Sequence, residues 1–129
     1  MKEFLEKLHH IGIPTTDMDS TIDFYTKLGG EIIFEKVDED DGNPCRVTHI
    51  RFSDLIIELY EREKNLGESG AIDHIAFQVN DIEGAFRWAQ NMKFTFFDEK
   101  ILKSSYWKGG MRWFILIGCN GEKIEFAQK

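Results

Sequence analysis

The chain has 129 residues, enough for one compact domain with a substantial core. Its net charge of −7 and pI near 5.1 argue against non-specific binding to nucleic acid or acidic membranes, and no apolar run approaches the roughly 20 residues that span a bilayer. The charged start "MKEFLEKLHH" does not read as a signal peptide and two cysteines, Cys45 and Cys119, make no disulfide framework, so the expectation is a reduced, cytoplasmic protein with no nucleic-acid or membrane partner.

In chain order, the first predicted element is a strand over 8–14, "LHHIGIP". Asp17 follows as an N-cap, its carboxylate able to take up free N–H groups of the helix it starts. Ile22, Tyr25 and Leu28 recur at helical spacing, and Gly29-Gly30 ends the helix. Three strands come next, "EIIFEKV", "RVTHIRF" and "LIIELYE", the first two joined by the acidic turn "DEDDGNP" (38–44). A joint near "KNLGESG" (64–70) leads to a strand over 72–79 and an N-cap at Asp81. The second helix carries Ala85, Trp88 and Met92 on its apolar face, and the strands "TFFDEKI", "MRWFILIG" and "KIEFA" complete the chain.

These elements repeat. "HHIGIPTTDMDSTIDFY" is echoed by "DHIAFQVNDIEGAFRWA": His10 aligns with His74, Gly12 with Ala76, Asp17 with Asp81 and Ile22 with Phe86, at a constant offset of 64. The reading is an α+β protein made of two tandem βαβββ modules, about 1–63 and 71–129, forming one domain.

Side chains alternate along a strand, which separates two faces. His9, Ile11 and Ile13 share one face of the first strand, and His10 and Gly12 the other; in the repeat, Ile75, Phe77 and Val79 oppose His74 and Ala76. His10 and His74 thus sit on a face where a small residue two positions on leaves room, whereas His9 lies on the Ile11/Ile13 face, where a packing role or the strand's frayed edge explains it. If Ser53-Asp54 is a two-residue turn, Phe52 pairs with Leu55, Ile50 with Ile57 and His49 with Glu58. That places His49, Arg51, Glu58 and Tyr60 together, opposite an apolar set. Glu58, between "LII" and "LY", is expensive to bury without a cation or hydrogen-bond partner, and Glu125 stands equivalently between Ile124 and Phe126.

Two His–Glu pairs result, His10 with Glu58 and His74 with Glu125. Mixed nitrogen and oxygen donors of this kind suit Ni²⁺, Zn²⁺, Co²⁺, Mn²⁺ or Fe²⁺, and four protein ligands in an octahedral shell leave two positions open. Arg51 and His49 share the Glu58 face, and Arg112 shares the Glu125 face if the last hairpin has a four-residue turn; arginines there suit an anionic substrate, although pairing with surface acids explains them equally well. The stretch "KSSYWKGG" (103–110), with Tyr106 and Trp107, suits a mobile flap over a site, or an ordinary exposed hairpin loop.

With "LHHIGIPTTDMDSTIDFYTKLGG", "LIIELYE", "DHIAFQVNDIEGAF" and "NGEKIEF", the chain resembles the vicinal oxygen chelate superfamily over nearly its full length. That superfamily includes glyoxalase I, methylmalonyl-CoA epimerase, extradiol dioxygenases, and fosfomycin- and bleomycin-resistance proteins. The resemblance implies paired βαβββ modules in a curved mixed sheet around a metal cleft, with one divalent ion per site held by His10, Glu58, His74 and Glu125. The His-Glu-His-Glu set is most similar to glyoxalase I. It implies a lyase or isomerase acting on a small-molecule carbonyl substrate, with Glu125 the base and Glu58 able to serve from the other side. An epimerase of an acyl thioester or keto-sugar, and a non-catalytic small-molecule resistance protein, are the alternatives. Glutathione-dependent members place Arg four residues after the first ligand His and Asn four after the first Glu; Pro14 and Arg62 stand there, so glutathione is not carried over. A homodimer is expected from the resemblance.

Overall fold

The computed structural model of the chain describes residues 2–4, 9–40, 42–104 and 109–129, and for residues 4, 38–40 and 104 the backbone alone. The polypeptide divides into two compact units, Met1–Asn65 and Leu66–Lys129.

In the first unit, β1 (Ile11–Thr15) leads through α1 (Met18–Lys27) to β2 (Glu31–Asp40), β3 (Asn43–Phe52) and β4 (Leu55–Glu61). The sheet order is β1-β4-β3-β2, with β1 parallel to β4 and the other pairings antiparallel. The second unit runs β5 (His74–Gln78), α2 (Ile82–Asn91), β6 (Leu102–Ser104), β7 (Met111–Ile117) and β8 (Lys123–Gln128). Its order, β5-β8-β7-β6, is the same, again with the first strand parallel to the last. The sequence repeat is therefore a repeat of topology. In each unit the helix carries the chain across the sheet from one edge strand to the other, and the last strand returns to pair in parallel with the first.

Both helices start as their sequences dictate. The Asp17 carboxylate accepts from Ser20 N at 3.1 Å and from Ser20 Oγ at 2.7 Å, and Asp81 accepts from Gly84 N at 3.0 Å. The backbone N–H and the hydroxyl of Ser20, which bind only the ionised form, hold the Asp17 carboxyl below its usual range. A group with its pKa lowered by folding stabilises above its unfolded value, and that contribution is lost as pH falls through the folded one. The urea midpoint of Asp17→Ala is therefore expected below that of the wild type at pH 7, with the gap narrowing as pH falls below the ordinary aspartate range; a gap that does not change with pH rules out this origin.

Which helix face is buried differs from the expectation. Met18, Thr21, Phe24 and Tyr25 are buried in α1, with Ile22 and Leu28 only partly covered. In α2 the buried residues are Ile82 and Ala89, and Trp88 and Met92 are exposed. Phe86, not Trp88, faces the sheet, its ring 5.0 Å from Phe96 and 5.3 Å from Phe114. Several apolar stripes fit these amphipathic stretches, and contact with the sheet chooses among them. A buried hydroxyl relay joins strand to helix in the first unit. Thr21 Oγ1 donates to Asp17 O, Thr15 Oγ1 lies 2.9 Å from Thr21 Oγ1, and Asp17 N donates to Thr15 Oγ1. The second unit uses Gln128 instead, which accepts from Ile82 N and donates to Asn80 O.

The strand expected over "TFFDEKI" does not form. Phe96 makes one isolated bridge to Leu116, and Lys100 N then turns back on Asp98 O at 2.7 Å. This local turn within a run of three charged residues ends the pairing, and β6 begins only at Leu102. The first strand is also shorter than expected, starting at Ile11, so that His9 and His10 precede it; Leu8 lies outside the described residues.

Candidate functional site

The β3–β4 hairpin has the expected register: Ser53-Asp54 is the turn, Phe52 pairs with Leu55, Ile50 with Ile57 and His49 with Glu58. Ser53 adopts a positive φ of 53°, as a tight two-residue turn requires. Ile50, Ile57 and Leu59 are fully buried on the apolar face. On the other face, His49 donates from Nε2 to Glu58 Oε2 at 2.8 Å. The second oxygen, Glu58 Oε1, lies 3.8 Å from His10 Nε2. The His10 and His49 rings are stacked with centroids 6.5 Å apart, and Phe34 lies against His49 at 5.0 Å. Parallel pairing of β1 with β4 sets Gly12 opposite Glu58. Part of the room above Gly12 is filled by the Tyr60 ring, whose Cε1 lies 3.3 Å from where a Cβ would be. The Arg62 guanidinium covers that ring at 4.5 Å.

The second unit builds the equivalent pair at the equivalent register. Ala76 stands opposite Glu125 as Gly12 does opposite Glu58, and His74 Nε2 lies 3.5 Å from Glu125 Oε2. His74 donates from Nδ1 to Asp73 Oδ2 at 3.0 Å, and Lys123 Nζ reaches Asp73 Oδ1 at 3.0 Å. The hydrogen bond from His74, and after it that from Lys123, hold the Asp73 carboxyl below its usual range. Asp73 is thereby an ionised acceptor that holds a proton on His74 Nδ1, while His74 Nε2 faces Glu125.

The two pairs are not identical. The Glu58 side chain is 29% exposed and bonded to His49, whereas the Glu125 side chain is 9% exposed. Across the ladder from Glu125, where His49 would correspond, stands Ile115. Among the described residues Glu125 has no partner besides the His74 imidazole. A buried carboxylate so sparsely partnered calls for a cation. The donors fit a divalent ion: two groups each about 2.0–2.2 Å from one ion can stand up to roughly 4 Å apart, and both pairs fall within that span. Within each unit a pair, and among the described residues no group of three or more His, Cys, Asp or Glu in metal-holding arrangement, is gathered.

The remaining candidates are placed as follows. Arg51 lies on the Glu58 face, but its exposed guanidinium pairs with Glu31 at 2.8 Å. Arg112 corrects the expectation. The last hairpin turns over five residues, 118–122, so Ile115 pairs with Glu125, and Arg112 falls on the opposite, helix-facing side with Phe114 and Leu116. There it pairs with Glu83 of α2 and donates to Gln128 Oε1 at 3.2 Å. Tyr106 and Trp107, and with them the heart of the "KSSYWKGG" flap, lie outside the described residues. Of the two roles expected for His9, the frayed edge of the strand holds and the packing role does not. His9 is exposed, and its Nδ1 is 2.7 Å from His10 Nδ1. Sequence reasoning passed over both this contact and Asp73, although the offset of 64 that relates His10 to His74 also relates the residues before them. A cavity of about 810 Å³ in the first unit, lined in part by Cys45, Glu61, Arg62 and Lys64, includes none of the expected site residues.

The repeated architecture agrees with what known proteins show: a model of the Glyoxalase/Bleomycin resistance protein/Dioxygenase superfamily matches residues 7–127. The chain belongs to this superfamily. A Bacillus subtilis (strain 168) relative, the uncharacterized protein YwbC, is 28% identical, over 96% of this chain and 98% of its own. Two crystal structures share the superfamily fold with it. A glyoxalase family protein from Enterococcus faecalis has a TM-score of 0.77 at 18% identity, covering 96% of this chain and 98% of the other. The fosfomycin resistance protein FosX from Listeria monocytogenes, complexed with Mn(II) and sulfate, has a TM-score of 0.75 at 17% identity, covering 98% and 94%. Glu58 and Glu125 lie on corresponding strands of the two units, β4 and β8, whereas His74 opens β5 and His10 immediately precedes β1.

Proposed function

We propose that this protein is a metal-dependent lyase or isomerase of the glyoxalase I type, which moves a proton beside the carbonyl of a small, anionic substrate. The two modules act as one domain, and His10, Glu58, His74 and Glu125 are the ligands of one divalent ion, Ni²⁺, Zn²⁺, Co²⁺ or Mn²⁺. The observation that carries this reading is the buried Glu125 carboxylate, matched with His74 at the register where Glu58 is matched with His10. When bound, the ion supplies Lewis-acid stabilisation of the negative charge that develops on the carbonyl oxygen.

The chain's own residues supply the rest. His49 holds Glu58 by its hydrogen bond and keeps that carboxylate a fixed ligand. Glu125 has no such bond and abuts Ile115, so it is free to take the proton from the carbon beside the carbonyl and return it to the neighbouring atom. The apolar surroundings of Glu125 limit water competing for that proton. Arg51 and His49, on the Glu58 face, are the groups for an anionic end of the substrate, with Arg51 exchanging its surface partner Glu31. Exposed apolar residues on β2, Ile32, Ile33 and Val37, favour a homodimer, and the free thiols of Cys45 and Cys119 favour the reducing cytoplasm.

Metal titration followed by solvent-deuterium exchange tests the proposal. The wild type is expected to take up one Ni²⁺, Zn²⁺, Co²⁺ or Mn²⁺ per chain, with His10→Ala and His74→Ala each weakening uptake by about 100-fold or more, above the loss expected for an outer-shell change. In D₂O, the loaded protein should place deuterium on the carbon beside the carbonyl of thiol adducts of 2-oxoaldehydes, and chelation should stop it. A wild type that binds none of the four ions sinks the reading. Exchange with inversion of an acyl thioester, and no rearrangement of the adducts, reassigns the protein as an epimerase.

A further inference from the structure

The two pairs share one more feature. Each ligand histidine meets, through Nδ1, the side chain of the residue just before it: His10 meets His9 at 2.7 Å, and His74 meets Asp73 at 3.0 Å. His9 and Asp73 occupy corresponding positions of the repeat, at the same offset of 64 as the histidines themselves. At Asp73 the direction of the hydrogen bond is settled, since an ionised carboxylate only accepts. The imidazole of His74 therefore carries its proton on Nδ1 and presents Nε2 to Glu125.

We propose that His9 is a positioning residue for His10, doing with an imidazole nitrogen what Asp73 does for His74 with a carboxylate. His9 accepts the Nδ1–H of His10, with its own proton on Nε2. This fixes the ring of His10 and turns the Nε2 lone pair toward Glu58, whose Oε1 is 3.8 Å away. The His49 ring lies nearly parallel to that of His10, with centroids 6.5 Å apart. Without His9, nothing among the described residues meets His10 Nδ1, and the ring is free to turn and to carry its proton on Nε2, where no metal can then bind. A neutral imidazole is a weaker acceptor than a carboxylate. The unit-1 ligand is therefore held less firmly than the unit-2 ligand.

This proposal rests on the metal-site reading above, and the test separates the two. Long-range ¹⁵N–¹H spectra of the metal-free protein report where each histidine proton sits; they need neither metal nor turnover. The expected result is a protonated Nδ1 on His10 facing a bare Nδ1 on His9, with His9→Ala shifting the His10 proton to Nε2. Zn²⁺ titration of the same samples should show His9→Ala weakening affinity by about 10–100-fold, and His9→Asp restoring it to the wild-type value or better. His9 is exposed, so its replacement leaves the packed core intact. A proton on Nδ1 of His9 facing a bare Nδ1 on His10 overturns the proposal, as does Zn²⁺ affinity in His9→Ala within twofold of wild type. If the tautomers are as expected but the wild type takes up no Zn²⁺, the positioning contact stands and the metal-site reading falls.

Discussion

Glu125→Gln is expected to slow deuterium exchange into the substrate by a factor of about 10²–10⁴, the range that a positioned general base contributes, and Glu58→Gln is expected to cost less. Both carboxylates stand opposite the small residue of a parallel first strand, Gly12 or Ala76, and each lies within 4 Å of a histidine of its own unit, His10 or His74. Their roles separate because of the third strand. β3 puts His49 across from Glu58 and ties one carboxylate oxygen, whereas β7 puts Ile115 across from Glu125 and ties neither. An amide in place of Glu125 keeps the size and an oxygen donor but cannot take the proton. The rates should be compared at saturating metal, with bound metal measured on the same samples, so that weakened loading is not read as lost proton transfer. A Glu58→Gln protein that carries its full metal and exchanges more slowly than Glu125→Gln would invert the assignment.

Phe114→Ala is expected to destabilise the protein by about 3–5 kcal/mol, the cost of removing a large aromatic side chain from a core that relaxes only in part. Phe114 is 1% exposed and packs against three other rings: Phe126 at 5.2 Å, Phe86 at 5.3 Å and Phe96 at 5.8 Å. Domains of this size are stable by roughly 5–15 kcal/mol, so the loss is a large share of the whole. Trp88→Ala is the informative companion. Trp88 is the larger residue and lies at the helical spacing that suggests a buried position, yet it is 43% exposed, and its replacement should cost less than half as much. Urea unfolding followed by circular dichroism measures both. Equal losses would mean that Trp88, not Phe86, carries the packing of α2. Phe114 also lies behind Glu125, because its partner Phe126 is the neighbour of Glu125 on β8 and points to the opposite face. Weakened metal binding in Phe114→Ala would show that the placement of Glu125 depends on the apolar face behind it.

Much of the candidate site was legible because it rests on local rules. A two-residue turn with alternating apolar residues on both sides admits one register, so the pairing of His49 with Glu58 followed from "RVTHIRFSDLIIELYE". The equivalence of His10 with His74 needed only the repeat, which the strand order of both sheets reproduces. The failures share a different cause. Arg112 was tied to a turn length, and "GCNGE" accommodates five residues rather than four; one residue more moves a side chain to the other face. His9 was assigned by extending the alternation beyond Ile11, where ladder hydrogen bonds no longer hold the backbone, and a free backbone lets the ring turn back onto its neighbour. Trp88 was assigned by an apolar stripe one position away from the one that packs.

By itself, then, the sequence determined the two βαβββ modules, their N-caps at Asp17 and Asp81, the first hairpin register and the four residues of the paired polar groups, since each depends on the order of residues within a few positions or on a copy of that order. Only the tertiary structure decided which helix face is buried, where β6 begins and which side Arg112 takes. It also decided that His49 restrains Glu58 while Ile115 leaves Glu125 unrestrained, and that His9 stands behind His10 as Asp73 stands behind His74. These depend on which strand lies beside which, and on free energies of packing and hydrogen bonding between residues far apart in the chain. No local pattern encodes those contacts, because each is chosen only when the competing arrangements meet the same neighbours.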